Sequence, residues 1–146
     1  MPQNEAETTA LLRECDAGIK MGVASIAEVL DQIKSQELYR CLSDCKREHE
    51  YLGRELEELL QRCGEDGKQP TAIAKGMSWL KTNVKMAAAP GDDTVADLMT
   101  DGCNMGVKAL RRTLNRYPNA QPLARNIAQR LITTEDTLVR RIAPFL

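Results

Sequence analysis

The sequence predicts an all-α protein, an antiparallel four-helix bundle with an additional shorter crossover helix. Two observations lead to this fold class. Apolar residues make up 42% of the chain but aromatic residues only 3%, so the core must be aliphatic, which suits helices better than sheets. Apolar residues also recur at alternating steps of three and four, the spacing of one helical face. At 146 residues the chain has the size of one domain, so we assign 1–146 to a single helical-bundle domain with one cooperative unfolding transition.

The first half of the chain predicts a long helical hairpin. Its first helix should run from about Glu5 to Lys34, and Ser35 should be the N-cap of the second. A connection this short forces the two helices to be antiparallel. Gly64 provides the C-terminal stop of the second helix. The apolar seams of the two helices consist of Leu12, Cys15, Ile19, Gly22, Ile26, Leu30 and Ile33, then Leu38, Leu42, Cys45, His49, Leu52, Leu56, Leu59 and Cys63.

The second half predicts a shorter helix followed by a second hairpin. Residues 71–89 have helical spacing and end at a Pro-Gly pair. Asp92 or Asp93 should cap the next helix, which runs to about Tyr117. Pro122 is placed as the first residue of the final helix, where its missing N–H costs nothing.

Charge and cysteine content exclude several classes of partner. The formal net charge is -1, with both signs interleaved, so we expect no nucleic acid and no anionic membrane as a partner. No uncharged run approaches the roughly 20 residues that span a bilayer, and the N-terminus does not read as a signal peptide. The five cysteines are odd in number and lack C-x-x-C spacing. These features favour a cytoplasmic protein that keeps its cysteines reduced.

Three short motifs carry a family resemblance. They are the H-E-x-L-G-x-E-L stretch from His49, the G-x-x-P loop at 67–70 and the G-M-S-W-L-K segment at 76–81. With these motifs, the run from Leu11 to Leu146 resembles a bacterial branch of the ferritin-like superfamily. That resemblance implies two helical hairpins joined by a long crossover, and a metal site between the helices.

The resemblance also implies which residues would bind metal. Active ferritin-like proteins use two single carboxylates and two Glu-x-x-His motifs, because i, i+3 spacing places both ligands on one helical face. Here Lys46 stands three residues before His49, and Leu138 stands three residues after Glu135. No intact Glu-x-x-His motif therefore remains at either position.

The degenerate site keeps at most four of its six ligands. They are Glu14, His49, Asp101 and Glu135, where Glu14 and Asp101 would supply the single carboxylates. We therefore expect no di-metal centre and no resident cofactor, with one weakly bound metal ion as the alternative. If His49 is instead a neutral core imidazole, its replacement by leucine should be nearly neutral, provided that no buried partner is left stranded. Glu135, also on a seam, would then form a structural ion pair.

A second group of candidate ligands lies on the first hairpin. Cys41, Cys45 and His49 are spaced by four residues, and Cys15 comes from the facing helix, so a tetrahedral zinc site is conceivable. The simpler interpretation makes these cysteines small buried hydrophobes.

Two glycine pairs also require an explanation, because each mid-helix glycine costs about 1 kcal/mol relative to alanine. The pairs are Gly18 with Gly22 and Gly102 with Gly106. Close helix–helix contact is the favoured explanation, and a ligand-admitting cavity is the alternative.

The sequence lacks a phosphate loop, a Ser/His/Asp set and a nucleotide fingerprint. We therefore expect a non-enzymatic helical bundle that acts through a protein partner or self-association as a homodimer or small oligomer. A metal-binding or oxidative-stress protein with the partial site is the alternative. A metal or redox sensor based on Cys15, Cys41 and Cys45 is the second alternative.

Overall fold

The computed structural model describes residues 2–64 and 91–146, which form two helical hairpins packed as an all-α antiparallel bundle, as predicted. No strand occurs in these two ranges. The predicted helix over 71–89 and the motifs at 67–70 and 76–81 lie outside them. The four helices are α1 (Pro2–Val29), α2 (Gln36–Arg62), α3 (Asp92–Arg116) and α4 (Pro122–Ile142), with short 3-10 turns at Leu30–Gln32 and Ala143–Phe145. None of these helices is long and apolar enough to cross a membrane.

The ends of α2 follow the prediction. The Ser35 hydroxyl accepts a hydrogen bond from the Leu38 N–H at 3.2 Å, which makes Ser35 the N-cap. Gly64 has a φ of 74°, in the left-handed region that glycine adopts without steric cost. Pro122 is the first residue of α4, also as predicted.

Two predicted helix ends are wrong, and Asp92 accounts for both. The N-cap of α3 is Gly91, not an aspartate, and Asp92 is the first helical residue. The Asp92 carboxylate instead accepts hydrogen bonds from the backbone N–H groups of Lys34 and Ser35, each at 2.9 Å. These bonds hold the first connection in an extended conformation, so α1 ends at Val29 and not at Lys34.

This tertiary cap should contribute measurably to stability. Replacing Asp92 with alanine leaves the N–H groups of Lys34 and Ser35 without their acceptor, and we expect a loss of about 1–2 kcal/mol in the free energy of unfolding. The neighbouring Asp93→Ala is the control, because Asp93 is exposed and should change stability by less than about 0.5 kcal/mol. Chemical denaturation followed by circular dichroism measures both. Equal losses in the two variants would contradict the cap.

The two hairpins repeat one pattern of burial. Seven buried residues of α2 are each followed, 86 residues later, by a buried residue of α4: Leu38, Cys41, Leu42, Cys45, His49, Leu52 and Leu56 match Ala124, Ile127, Ala128, Leu131, Glu135, Leu138 and Ile142. In the same way Gly18 and Gly22 of α1 match Gly102 and Gly106 of α3, 84 residues later.

The side chains that cap the two hairpin loops also occupy matching positions, 84 residues apart. Thr8 of α1 accepts a hydrogen bond from the Gln121 N–H at 2.8 Å, and its counterpart Asp92 of α3 accepts one from the Ser35 N–H. The start of each hairpin therefore caps the loop of the other. The two hairpins thus repeat one pattern of burial and capping.

The apolar core consists of two clusters. The first contains Leu11 and Leu12 of α1 with the C-terminal half of α2, and the second contains Ile26 and Val29 with the N-terminal half of α2. The boundary between them falls at mid-bundle, between Ile19 and Ile26 on α1. The only polar groups that α2 and α4 bury lie at this boundary, which is where the candidate site is found.

A buried histidine–glutamate pair as the candidate functional site

His49 of α2 and Glu135 of α4 face one another in the middle of the bundle. Their exposed fractions are 1% and 8%, so both are almost completely removed from solvent. They occupy matching positions in the two hairpins, because Glu135 follows His49 by the same 86 residues as the other buried pairs. Burying two ionisable groups is costly unless they are paired. Their position therefore marks the centre of the bundle as the candidate site.

The hydrogen bonding of His49 fixes which of its nitrogens is available. Nδ1 lies 2.8 Å from the Cys45 carbonyl oxygen and must donate to it, because a carbonyl can only accept. The Cys45 thiol sulfur is also near Nδ1, at 3.5 Å. Nε2 points towards Glu135 and lies 3.7 Å from Oε1, which is longer than a hydrogen bond. Neither His49 Nε2 nor Glu135 Oε2 has a hydrogen-bond partner.

His49 and Glu135 together hold one proton. Burial lowers the pKa of His49, but its interactions with Cys45 and with the nearby Glu135 carboxylate outweigh burial and raise that pKa to about 10. Burial raises the pKa of Glu135, while His49 opposes this rise. Two acceptor atoms 3.7 Å apart in a weakly screened interior repel each other unless a positive species lies between them. The pair therefore behaves as one unit that shares a proton and is neutral overall.

Two glycines make room for this pair. A Cβ atom at Gly22 would lie 2.8 Å and 2.9 Å from two atoms of the His49 ring. A Cβ atom at Gly106 would lie 2.8 Å and 2.9 Å from the two carboxylate oxygens of Glu135. Each glycine therefore allows close helix–helix contact, as the sequence favours, and the contact is made with a side chain of the facing helix. Gly22 accommodates His49, and Gly106 accommodates Glu135.

The glycines also border a cavity of about 50 Å³. At roughly 10–15 Å³ for each water-sized group, this volume holds about three to five non-hydrogen atoms. Gly102 has open space beside it, with no atom within 4 Å of its Cβ position. Ser25 lines the cavity as well, and its buried hydroxyl lacks a hydrogen-bond partner. The remaining walls are mostly apolar and include Met21, Ile26, Met99, Cys103, Leu131 and Leu138.

Alanine substitution should change stability in opposite directions at the glycines beside the polar pair and at Gly102. Gly22→Ala forces the His49 ring away from a position fixed by its Nδ1 hydrogen bond, so overpacking should exceed the helix-propensity gain. We expect a net loss of about 1–2 kcal/mol, and a similar loss for Gly106→Ala. Gly102→Ala is the matched control on the same helix as Gly106. It fills open space and should raise stability by about 0.5–1 kcal/mol. Thermal unfolding of the three variants measures these changes in stability. Equal changes in all three variants would contradict the prediction.

The other proposed metal ligands lie elsewhere. Glu14 is partly buried, which raises its pKa, and the charge of Arg116 opposes this rise. Asp101 is exposed on α3, and neither residue lines the cavity. Lys46 pairs with Glu50 at 3.5 Å, so its charge is directed away from the site. The structure thus brings together two of the four residues, His49 and Glu135. Within residues 2–64 and 91–146, no group of three or more His, Cys, Asp or Glu side chains could hold a metal ion.

The cysteines do not assemble into the alternative site. All five are free, and only Cys63 is exposed. Cys15 belongs to the first core cluster, whereas Cys41 and Cys45 belong to the second. Burial raises the pKa of Cys15 to about 12, which keeps it a thiol and not the thiolate that binds metals.

Ser25, His49 and Glu135 have the residue types of a hydrolytic triad, but their geometry is different. A triad histidine uses one nitrogen for the serine and the other for the acid. Here Glu135 is nearest Nε2, and Nδ1 is occupied by the Cys45 carbonyl. Three polar groups without hydrogen-bond partners thus border an otherwise apolar cavity.

Comparison with known proteins adds evidence on the fold. The fold and site define this chain as a four-helix bundle with a polar pair in a central cavity. A crystal structure of a DUF305 fragment from Deinococcus radiodurans is similar to it, with a TM-score of 0.65. The similarity covers 99% of this chain and 95% of that chain at 16% sequence identity, so it establishes a shared helical fold. No family model and no curated protein matches the sequence.

Proposed function

We propose that this protein is a non-enzymatic helical bundle that binds a small, largely apolar molecule in its central cavity. One observation carries the proposal: His49 Nε2 and Glu135 Oε2 are buried, lack hydrogen-bond partners and border the same cavity. A buried polar group without a partner costs about 1–3 kcal/mol. A ligand that bonds both atoms would recover that cost.

The walls of the cavity support the same class of ligand. Small-molecule sites are mostly apolar, with a few polar groups that fix the orientation of the ligand. Here the apolar walls come from all four helices, and the polar groups cluster where the two hairpins meet. A ligand in this position would contact both hairpins at once and should stabilise the bundle by mass action.

Methyl NMR on the methionines tests the proposal directly. Met21 and Met99 line the cavity, whereas Met105 lies on α3 with 48% of its surface exposed and is the internal control. We expect a mixture of small organic molecules to shift the Met21 and Met99 methyl signals, in a saturable manner, without shifting that of Met105. If no methionine signal moves, or if all three move together, the cavity does not bind ligands and the proposal is wrong.

A second candidate, metal binding, is favoured by one specific observation. A histidine that donates its Nδ1–H to a backbone carbonyl and presents Nε2 beside a carboxylate has the arrangement of a metal ligand. Only His49 and Glu135 would contribute, so the ion would be single and weakly held. Incubation with ferrous iron should give no ferroxidase activity and no di-iron centre. Calorimetric titration with Zn²⁺, compared with His49→Leu, tests for the single ion.

Two further properties predicted from the sequence are proposed here, a family relation and self-association. A distant relation to the ferritin-like superfamily is supported by the two-hairpin layout and by the central position of His49 and Glu135. Action through protein contacts, as a homodimer or small oligomer, remains a prediction that light scattering after size-exclusion chromatography would test.

A further inference from the structure

We propose that the head group recognised in the cavity is a hydroxyl, so that the ligand is a small aliphatic alcohol. This inference rests on the proposed function and specifies its ligand class. It follows from the way in which His49 and Glu135 can share one proton, given the contacts that each residue already makes.

The pair offers a ligand one donor and one acceptor in either protonation state. With Nδ1–H committed to the Cys45 carbonyl, the shared proton resides on His49 Nε2 or on the Glu135 carboxyl. In the first state Nε2–H donates and Glu135 accepts. In the second state the Glu135 O–H donates and Nε2 accepts. A ligand that both accepts and donates satisfies the pair in each state without any change in protonation.

Other common head groups match this pattern less well. A ketone can only accept, so the acceptor of the pair would remain without a partner. An ammonium group can only donate, and the pair would have to release its proton to receive it. A carboxylate would place a second negative charge beside Glu135 in a weakly screened interior. Of these four head groups, the hydroxyl alone leaves neither His49 Nε2 nor Glu135 Oε2 unpaired.

The size of the cavity and its third polar group agree with this choice. Room for about three to five non-hydrogen atoms suits a short alcohol. The Ser25 hydroxyl, which also lacks a partner, can donate or accept and therefore adds a contact for a hydroxyl ligand. The lining residues on α1 carry no ionisable side chain, so nothing on that helix favours a charged ligand.

A comparison of three probes with four non-hydrogen atoms each tests the head group. The probes are 1-propanol, acetone and propylammonium, and the readout is the Met21 and Met99 methyl titration with Met105 as the control. We expect 1-propanol to bind about tenfold more tightly than either of the others, which corresponds to about 1.4 kcal/mol. If no probe binds, the proposed function and this inference both fail. If the probes bind equally, or acetone or propylammonium binds more tightly, the cavity binds ligands but the hydroxyl assignment is wrong.

Variants show whether the polar pair causes the preference. The double variant His49→Leu/Glu135→Leu should bind the three probes with less than threefold difference. Lys46→Gln/Glu50→Gln removes a surface ion pair of α2 and is the matched control, which should keep the full preference. If the double variant does not fold, Glu135→Gln replaces it. The amide of this variant can donate to acetone, so the affinity of 1-propanol should exceed that of acetone by less than threefold. A tenfold preference that persists in these variants would overturn the assignment.

Discussion

Replacing His49 alone with leucine is expected to lower the free energy of unfolding by about 3 kcal/mol at neutral pH. The change leaves Glu135 buried without its partner, and removing one member of a buried pair typically costs about 3–5 kcal/mol. The raised pKa of Glu135 lets it take up a proton and offsets part of this cost. The near-neutral outcome expected from the sequence required that no partner be stranded, and the structure shows that Glu135 would be.

The double variant His49→Leu/Glu135→Leu provides the decisive comparison. Apolar residues of similar volume replace both members, so stability should return to within about 1–2 kcal/mol of the parent protein. Urea denaturation of the parent, both single variants and the double variant gives the coupling energy of the cycle. Additive losses in the double variant would mean that the two side chains do not form a pair.

Stability is expected to fall as the pH rises from about 6.5 to 10. The folded-state pKa of His49, about 10, is higher than its unfolded value of about 6.5. The unfolded chain therefore releases this proton first, and the stabilisation is complete below pH 6.5 and is lost as the pH rises through the folded-state pKa. One such proton changes the unfolding free energy by up to about 1.4 kcal/mol per pH unit. We expect a loss of about 2–3 kcal/mol between pH 7 and 9.

Thiols exposed in the unfolded chain ionise near pH 8.5, so the measurement must be differential. Burial raises the pKa of Cys103 in the folded protein, and this residue remains in the double variant His49→Leu/Glu135→Leu. The free energy of unfolding is measured against pH for this variant and for the parent. The difference between the two curves isolates the contribution of the His49–Glu135 pair. Parallel profiles would show that His49 does not retain a proton in the folded state.

The fold was predictable because periodicity, loop residues and composition all indicate the same architecture. Ser35, Gly64 and Pro122 act as the sequence suggested because each of these end signals is local. The failures have a common physical origin, which is tertiary contact. Asp92 resembles an N-cap, but its carboxylate accepts from a loop 57 and 58 residues away in sequence.

The candidate site was only partly predictable. His49 and Glu135 were identifiable as polar residues on apolar seams, but Glu14 and Asp101 were chosen by resemblance and lie away from the cavity. Ser25 was missed because a lone serine in a helix carries no signal. The equal spacing of the two glycine pairs, 84 residues apart, was the available signal for an internal repeat. That repeat would have indicated that the glycines and the polar pair form one site.

The pattern that the two hairpins share has a consequence for the chemistry at the centre of the bundle. If two identical hairpins associated, each central position would carry the same residue twice. Two histidines or two glutamates would then face one another and would repel when charged. Because both hairpins belong to one polypeptide, the matching positions can differ, and a base can face an acid. Covalent linkage thus lets two hairpins of similar pattern supply an acid and a base at matching positions, whereas two identical hairpins would supply the same residue twice.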